Sequence, residues 1–214
     1  MKKVILGFAA AALVLSCKKV PEGGNLSVLK LDPHAEHYSD DVQEGGAAHG
    51  SAAHATKEEV KVDVNGVELS AFKGGLEETI VAFLKGNGYA NAADDAALKD
   101  QWYNFDNVNF KTGSANQLEA GSKAQLENLT KILKAYPDAK IKVGGYTDKT
   151  GDEAANKKLS QDRANFIKAE LTKAGVGGQI VSAEGYGSEH ATVAATASDE
   201  ERAIDRKMAI RFTK

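Results

Sequence analysis

Apolar and polar positions recur along the chain with two different periods, which predict strands in some segments and helices in others. Valines alternate with polar residues over 60–64, and Asn65-Gly66 separates this run from a second alternating run over 67–69. Because Asn-Gly favours the tight turn of a hairpin, these residues predict two antiparallel strands. Apolar residues then recur at helical spacing over 76–85, which predicts a helix that ends at the glycines that follow.

The second half of the chain alternates strand patterns with helix patterns. An aromatic-rich stretch over 102–110 predicts a strand or a pair of strands. Further strands are predicted where short apolar runs recur, at 141–143, 180–185 and 208–212. Two long helices are predicted between these strands, from Ser114 to Tyr136 and from Glu153 to Ala174. Strands that alternate with helices predict an α+β domain in which helices cover a mixed sheet.

The first residues have the pattern of an export signal. Lys2 and Lys3 precede an apolar run over 4–16, which is too short to span a bilayer. The run ends immediately before Cys17, the only cysteine in the chain. This arrangement resembles the lipobox of bacterial lipoproteins, and the resemblance implies cleavage before Cys17 and attachment of lipid, including palmitate, to that cysteine. The alternative is an ordinary secreted protein with a stray cysteine.

A segment without periodicity follows the cysteine. Gly, Ala, Ser and acidic residues dominate 18–56, and such a composition buries too little apolar surface to offset the entropy of ordering. We therefore expect 17–56 to be a lipidated cysteine followed by a flexible linker. Four of the five histidines lie in this segment, at His34, His37, His49 and His54. The spacing of the first two suits metal chelation, but no carboxylate or cysteine cluster completes a site, so we predict no metal.

Composition excludes some functions and sets the domain boundaries. With 27 Lys and Arg against 30 Asp and Glu, the net charge is −3, which does not provide the positive field that nucleic-acid binding requires. A single cysteine allows no internal disulfide and no cysteine-rich zinc site. We predict a signal peptide at 1–16, the lipidated linker at 17–56, a small hairpin–helix module at 57–100 and the main domain at 101–214.

A series of short motifs in the main domain resembles the OmpA-like C-terminal domain, a family that includes peptidoglycan-associated lipoproteins and flagellar stator proteins. In the order of that family, the motifs are Gly145-Tyr146-Thr147-Asp148, Gly151, Asn156, Leu159-Ser160, Arg163-Ala164, Gly185-Tyr186-Gly187, and Arg202 with Asp205-Arg206-Lys207-Met208. The resemblance covers about 107–214 and implies a βαβαββ domain. Two motifs depart from the family, which usually has His in place of Tyr146 and Asn-Arg-Arg in place of Asp205-Arg206-Lys207.

The resemblance also implies a ligand and the residues that hold it. The ligand is peptidoglycan, bound without a covalent bond through the diaminopimelate of its stem peptide. Carried over by position, the main contacts fall on Asp148 and Arg163. Residues nearby in the same pattern are Asn156, Leu159 and Ser160, with Thr147 shaping the loop and Phe110 matching less securely.

The chemistry of Asp148 and Arg163 suits this ligand independently of the family. Diaminopimelate presents an ammonium and a carboxylate close together, which call for a carboxylate and a planar, bidentate donor respectively. Asn156, Ser160 and Arg163 also share one stripe of the predicted second helix. Two alternatives without a role in ligand binding stay open. From their spacing alone, Asp148 and Arg163 are also consistent with a structural ion pair or a helix-entry pair, and Arg202 and Arg206 with ordinary surface charges at a strand end.

Together these features predict a non-catalytic lipoprotein of the outer membrane that faces the periplasm, tethers that membrane to the wall and uses no cofactor. One alternative is an interaction scaffold of the cell envelope, in which residues 57–100 bind a protein partner. A less favoured alternative is a peptidoglycan hydrolase. Asp148 and Glu153 form a candidate carboxylate pair for it, but Arg163 fits poorly beside an acid that needs a raised pKa.

Overall fold

The computed structural model describes residues 58–214, which begin with the predicted hairpin. Strands β1 (Glu59–Val64) and β2 (Val67–Phe72) pair antiparallel, and Asn65 and Gly66 both adopt the positive φ that a tight hairpin turn requires. Helix α1 follows at Leu76–Lys85, which are the bounds that its periodicity predicts. The predicted signal peptide, Cys17 and the linker histidines lie outside the described residues.

The rest of the described chain contains four more α-helices and four more strands. In chain order these are α2 (Gly88–Asn91), β3 (Trp102–Asn104), α3 (Ser122–Ala135), β4 (Lys140–Gly145), α4 (Glu153–Leu171), β5 (Ile180–Gly185), α5 (Asp199–Arg202) and β6 (Met208–Thr213). Neither these helices nor α1 is long and apolar enough to cross a bilayer.

The last four strands form one mixed sheet. Their spatial order is β3-β6-β4-β5, with β4 and β5 parallel and β6 antiparallel to both of its neighbours. From β3 onward, the long helices and the strands follow one another as βαβαββ, with the short α5 before the last strand. The predicted α+β fold class is confirmed.

The hairpin and the larger sheet share one hydrophobic core. Leu69 of β2 and Ile80 of α1 are fully buried in the same cluster as Leu129 of α3 and Phe212 of β6. The ring of Phe83 from α1 stacks on that of Phe212, with 5.2 Å between centroids. Because a hairpin and one helix bury too little surface to be stable alone, this shared core is what stabilises them.

The first long helix starts later than its sequence pattern predicts. It begins at Ser122 rather than Ser114, and residues 111–121 form a loop instead. Gly113 and Gly121 adopt positive φ of 67° and 86°, which breaks helical geometry at both ends of this loop. The second long helix begins at Glu153 as predicted, and a π-helical turn over Thr172–Val176 continues it after Leu171. Gly175, at a φ of 91°, is the residue that leaves helical conformation there, as its place at the end of the pattern predicts.

Helix α4 lies directly on the carboxyl ends of β4 and β5. A Cβ atom added at Gly145 would overlap the backbone carbonyl of Ser160, and one added at Gly185 would overlap the backbone of Gln161. The side-chain amide of Gln161 also bonds the edge of β5, donating to the Ala183 carbonyl at 2.8 Å and accepting from the Gly185 N–H at 2.9 Å. The helix is therefore fixed in register on the sheet.

This contact predicts a large difference between two glycine substitutions. Gly185→Ala forces α4 away from β5, and we expect it to lower the free energy of unfolding by about 2 kcal/mol, as overpacking does. Gly178→Ala is the matched control, because a Cβ there has no atom within 4 Å, so we expect a change within about 0.5 kcal/mol. Urea denaturation measures both, and equal losses in the two variants would contradict the close approach.

Candidate functional site

The candidate site lies where the chain leaves β4 and enters α4. Beyond Gly145 the chain runs through Thr147 and Asp148 before α4 starts at Glu153. The side chain of Asp152 accepts a hydrogen bond from the N–H of Ala155 at 2.9 Å and caps the helix. The loop 111–121 and the segment 199–206 complete the surroundings.

Asp148 is a buried carboxylate with partners on both of its oxygens. Its Oδ1 accepts hydrogen bonds from the backbone N–H of Thr150, at 2.9 Å, and from the Thr150 hydroxyl. Its Oδ2 pairs with Nη1 of Arg206 at 2.8 Å and with Nε of Arg202 at 3.4 Å. Burial alone would raise the pKa of Asp148, but the hydrogen bonds from Thr150 and Arg206 outweigh it and bring the pKa down to about 2.

Asp199 holds the two arginines that reach Asp148. Its carboxylate lies 3.2 Å from Nη2 of Arg202 and 3.1 Å from Nη1 of Arg206. Asp199 is the first residue of α5, a short helix that the sequence patterns did not predict. Ser198 and Glu201 form a capping box at the start of this helix. Arg202 and Arg206 are therefore members of an ion-pair network, and the interpretation of them as ordinary surface charges is wrong.

Arg163 projects from α4 toward the loop 111–121. Its Nε donates to the carbonyl of Ser114 at 2.9 Å, and its guanidinium lies over the ring of Phe110, 5.1 Å from the centroid. Phe110 in turn packs edge-on against Phe166, with 5.8 Å between centroids. Among residues 58–214, the two Nη groups of Arg163 have no hydrogen-bond partner and the guanidinium has no carboxylate within 4.0 Å. Burial lowers the pKa of Arg163, and repulsion from Arg206 lowers it further.

Asp148 and Arg163 do not form an ion pair with each other, although the sequence left that alternative open. Asp148 pairs with Arg206 instead, and the positive charge of Arg206 repels that of Arg163. Arg163, Arg202 and Arg206 carry three positive charges against the two negative charges of Asp148 and Asp199. Within this group of side chains, one positive charge is uncompensated.

The other residues of the motif hold the loop in place. The amide of Asn156 donates to the Thr150 carbonyl at 2.9 Å and to the Asp148 carbonyl at 3.4 Å. The Thr147 hydroxyl donates to the Asp148 carbonyl at 3.0 Å. Ser160 is 0% exposed, and its hydroxyl accepts from the N–H of Gly187 at 2.9 Å. These hydrogen bonds fix the backbone on both sides of Asp148.

Leu159 and Phe110 differ in how closely the structure ties them to the site. Leu159 is half-buried on α4, one residue before Ser160. Phe110 is partly buried and forms an isolated β-bridge with Leu118, which anchors the start of the loop 111–121. It therefore lies beneath Arg163 and holds its guanidinium in place.

The two departures from the family pattern both have structural partners. Tyr146 stacks on Tyr186, with 5.0 Å between centroids, and Trp102 packs edge-on against both rings. Burial raises the pKa of Tyr146. Asp205 accepts hydrogen bonds from the N–H groups of Thr192 and Val193, the shortest at 2.8 Å. Burial opposes ionisation of Asp205, but these bonds lower its pKa. The carboxylate thereby holds the loop before α5.

An open cleft of about 580 Å³ lies between the loop 111–121 and α4, and neither Arg163 nor Asp148 lines it. Phe166, which packs against Phe110, forms part of its wall together with Lys111, Gln117 and Glu170. In the described part of the chain, no three His, Cys, Asp or Glu side chains are arranged to hold a metal ion.

Residues 109–206 match the model of the OmpA family. This part of the chain is similar to OmpA family domains. The resemblance inferred from the motifs is confirmed there, since the match contains Phe110, Asp148, Arg163 and the arginines of the ion-pair network.

Several curated proteins are similar to part of this chain. Outer membrane porin F of Pseudomonas aeruginosa is 40% identical over 94 residues, which are 44% of this chain and 27% of the porin. The peptidoglycan-binding protein ArfA of Mycobacterium tuberculosis is 39% identical over 85 residues, 40% of this chain and 26% of ArfA. The probable lipoprotein YiaD of Escherichia coli is 34% identical over 104 residues, 49% of this chain and 47% of YiaD.

The chain therefore spans about a quarter to a half of the length of these relatives. Among solved structures, the peptidoglycan-associated lipoprotein of Burkholderia pseudomallei aligns at 28% identity with a TM-score of 0.45, over 50% of this chain and 88% of its own.

The depressed pKa of Asp148 predicts a pH-dependent stability. The pKa of Asp148 is about 2 in the folded protein and has its ordinary value of 3.8 in the unfolded chain, so the unfolded chain binds the proton more tightly. The ionised carboxylate then contributes about 2 kcal/mol to stability, present in full above about pH 4 and lost as the pH falls through 2.

Asp148→Asn removes this contribution. We expect the difference in free energy of unfolding between wild type and variant to shrink by about 2 kcal/mol from pH 6 to pH 2, measured by urea denaturation. A difference that is the same at both pH values would contradict the ion pairing.

Proposed function

We propose that this protein binds peptidoglycan without covalent attachment, by gripping the diaminopimelate of the stem peptide between Arg163 and Asp148. The observation that carries the proposal is the state of Arg163, a half-buried guanidinium oriented by Ser114 and Phe110 with both Nη groups unpaired within 58–214. The OmpA domain and the likeness to a relative named for peptidoglycan binding support the choice of ligand.

The ligand carboxylate is the natural partner of Arg163. The two Nη groups present parallel N–H donors at the geometry that a carboxylate accepts. Because Nε and the ring face are already bound to Ser114 and Phe110, little side-chain freedom is lost when the ligand binds. The neighbouring cleft, with Phe166 and Lys111 in its wall, offers room for the rest of the peptide.

The ligand ammonium is then directed toward Asp148. The low pKa of this carboxyl keeps it ionised at neutral pH, so it attracts a cation throughout the physiological range. Its longest contact is the 3.4 Å pair with Arg202, which is therefore the contact most easily displaced by the ligand.

We also propose that the protein acts by binding and not by catalysis. A general acid that cleaves a glycosidic bond needs a raised pKa, whereas Asp148 has a pKa of about 2. Glu153, its candidate carboxylate partner, is engaged with the N–H and hydroxyl of Ser188. The relatives named above are a porin, a binding protein and a probable lipoprotein.

Two substitutions test the ligand contacts. Arg163→Ala removes the partner of the ligand carboxylate, and we expect it to weaken retention on purified sacculi about tenfold or more, since a hydrogen bond to a charged group contributes roughly 1.5–3 kcal/mol. Asp148→Ala removes the partner of the ligand ammonium, and we expect a smaller loss, because Thr150, Arg202 and Arg206 already occupy that carboxylate. A pull-down over a range of protein concentrations gives the affinity, and circular dichroism shows whether each variant is folded.

Lys158→Ala is the matched control for this experiment. It removes a positive charge from the same helix, but its side chain is 78% exposed and pairs with Asp162. We expect retention like that of the wild type. The assignment fails if both site variants, correctly folded, bind sacculi as well as this control does.

We further propose that Cys17 carries lipid and that the protein tethers the outer membrane to the wall from the periplasmic side. The lipobox-like sequence before Cys17 supports this, as does the likeness to YiaD, a probable lipoprotein. Several acyl chains anchor firmly, because each buried CH₂ contributes roughly 0.8 kcal/mol. With this anchor at one end and the OmpA domain at the other, the chain connects two layers of the envelope.

Mass spectrometry of the membrane fraction tests the anchor. We expect a mature protein that begins at Cys17 and carries the added mass of acyl groups, and we expect Cys17→Ser to remain unlipidated and to be lost from the membrane fraction. Cleavage at another residue, or an unmodified Cys17 in the wild-type protein, would show that the anchor is absent.

A further inference from the structure

Asp148 and Arg163 differ in how many of their hydrogen-bonding positions are already occupied. This inference rests on the proposed function and concerns which part of diaminopimelate sets the affinity. We infer that the free carboxylate of diaminopimelate contributes far more to the binding affinity than its ammonium does, so that amidation of that carboxylate releases the protein from the cell wall.

Asp148 has little capacity left for a ligand ammonium. Its Oδ1 already accepts two hydrogen bonds from Thr150, and its Oδ2 pairs with Arg206 at 2.8 Å and Arg202 at 3.4 Å. A carboxylate has about four acceptor positions, so these contacts occupy nearly all of them. A ligand ammonium must exchange with an existing cation, and the net gain from such an exchange is small.

Arg163 is in the opposite condition. Its Nε is bound to Ser114, but its two Nη groups have no hydrogen-bond partner in the region that the structure covers. Arg206 repels it, and the ring of Phe110 excludes water from one of its faces. A carboxylate that binds there gains two charge-assisted hydrogen bonds and relieves the repulsion between the two arginines.

The charge count leads to the same conclusion. Arg163, Arg202 and Arg206 outnumber Asp148 and Asp199 by one, so a single added negative charge makes the group neutral. A carboxamide adds no charge, and it turns an N–H donor toward the donors of Arg163. Amidation therefore removes the favourable interaction and introduces an opposed pair of donors.

Three synthetic stem tetrapeptides, identical except at one residue, separate the two contributions. The first contains meso-diaminopimelate, the second its amide at the carboxyl next to the free amine, and the third 2-aminopimelate, which keeps that carboxylate and lacks the amine. Calorimetry with the full chain in detergent measures each affinity. We expect amidation to weaken binding about tenfold or more, and loss of the amine to weaken it less than threefold.

Two variants connect this preference to Arg163. Arg163→Gln is expected to bind the acid and the amide with equal, weak affinity, because it has lost the charged fork. Lys158→Gln, which makes the same change of charge on the exposed side of α4, is expected to keep the full preference. These variants separate the effect of Arg163 from a general effect of net charge.

The outcomes distinguish this inference from the proposed function. If the acid and amide tetrapeptides bind wild-type protein within threefold of each other, or if loss of the amine costs as much as amidation, the inference is wrong while peptidoglycan binding stands. If the acid tetrapeptide does not bind and wild-type protein is not retained on sacculi, the proposed function itself is wrong.

Discussion

The contact between the backbone of α4 and the ends of β4 and β5 is the constraint on which the site depends. Gly145 and Gly185 have no side chain to hold the helix away, so the peptide units of Ser160 and Gln161 rest on the sheet. Gln161 bonds the free edge of β5 as another strand would, and the Ser160 hydroxyl holds the next turn through Gly187. Arg163 follows one helical turn later, which places its guanidinium against the loop 111–121.

A second constraint is electrostatic and concerns where buried charges find partners. Asp148 is 6% exposed, and a carboxylate so far from water is stable only when its oxygens are bonded. The partners come from two different segments, Thr150 next to it in the chain and Arg206 from the approach to β6. The same pairing both stabilises the loop and leaves Arg163 without a carboxylate among the described residues.

The N-terminal hairpin supports this arrangement from a distance. Glu77 at the start of α1 is 2% exposed, and its carboxylate accepts hydrogen bonds from Gln125 at 3.1 Å and from Asn128 at 3.0 Å, both on α3. Asn128 also donates to the Ser70 carbonyl of β2 at 2.8 Å. Together with the shared apolar core, these bonds attach the hairpin and α1 to the helix that follows the loop beneath Arg163.

The sequence by itself determined the features that depend on local preference and on periodic burial. Asn65-Gly66 specified a hairpin because both residues tolerate positive φ, and the apolar spacing over 76–85 specified the bounds of α1. The motifs around Asp148 and Arg163 named the candidate site residues, and their resemblance to one family implied the βαβαββ order of elements along the chain. None of these inferences needed to know which segments meet in space.

Only the tertiary structure decided the partners of those residues. The pattern over 114–121 is compatible with helix, but the β-bridge between Phe110 and Leu118 makes the segment a loop whose Ser114 carbonyl holds Arg163. Asp148 pairs with a residue 58 positions away and not with Arg163, 15 positions away. Sequence periodicity reports which side of an element is buried. Whether Asp148 pairs with Arg206 or with Arg163 depends on distances through space, and the packing of the helices and strands sets those distances.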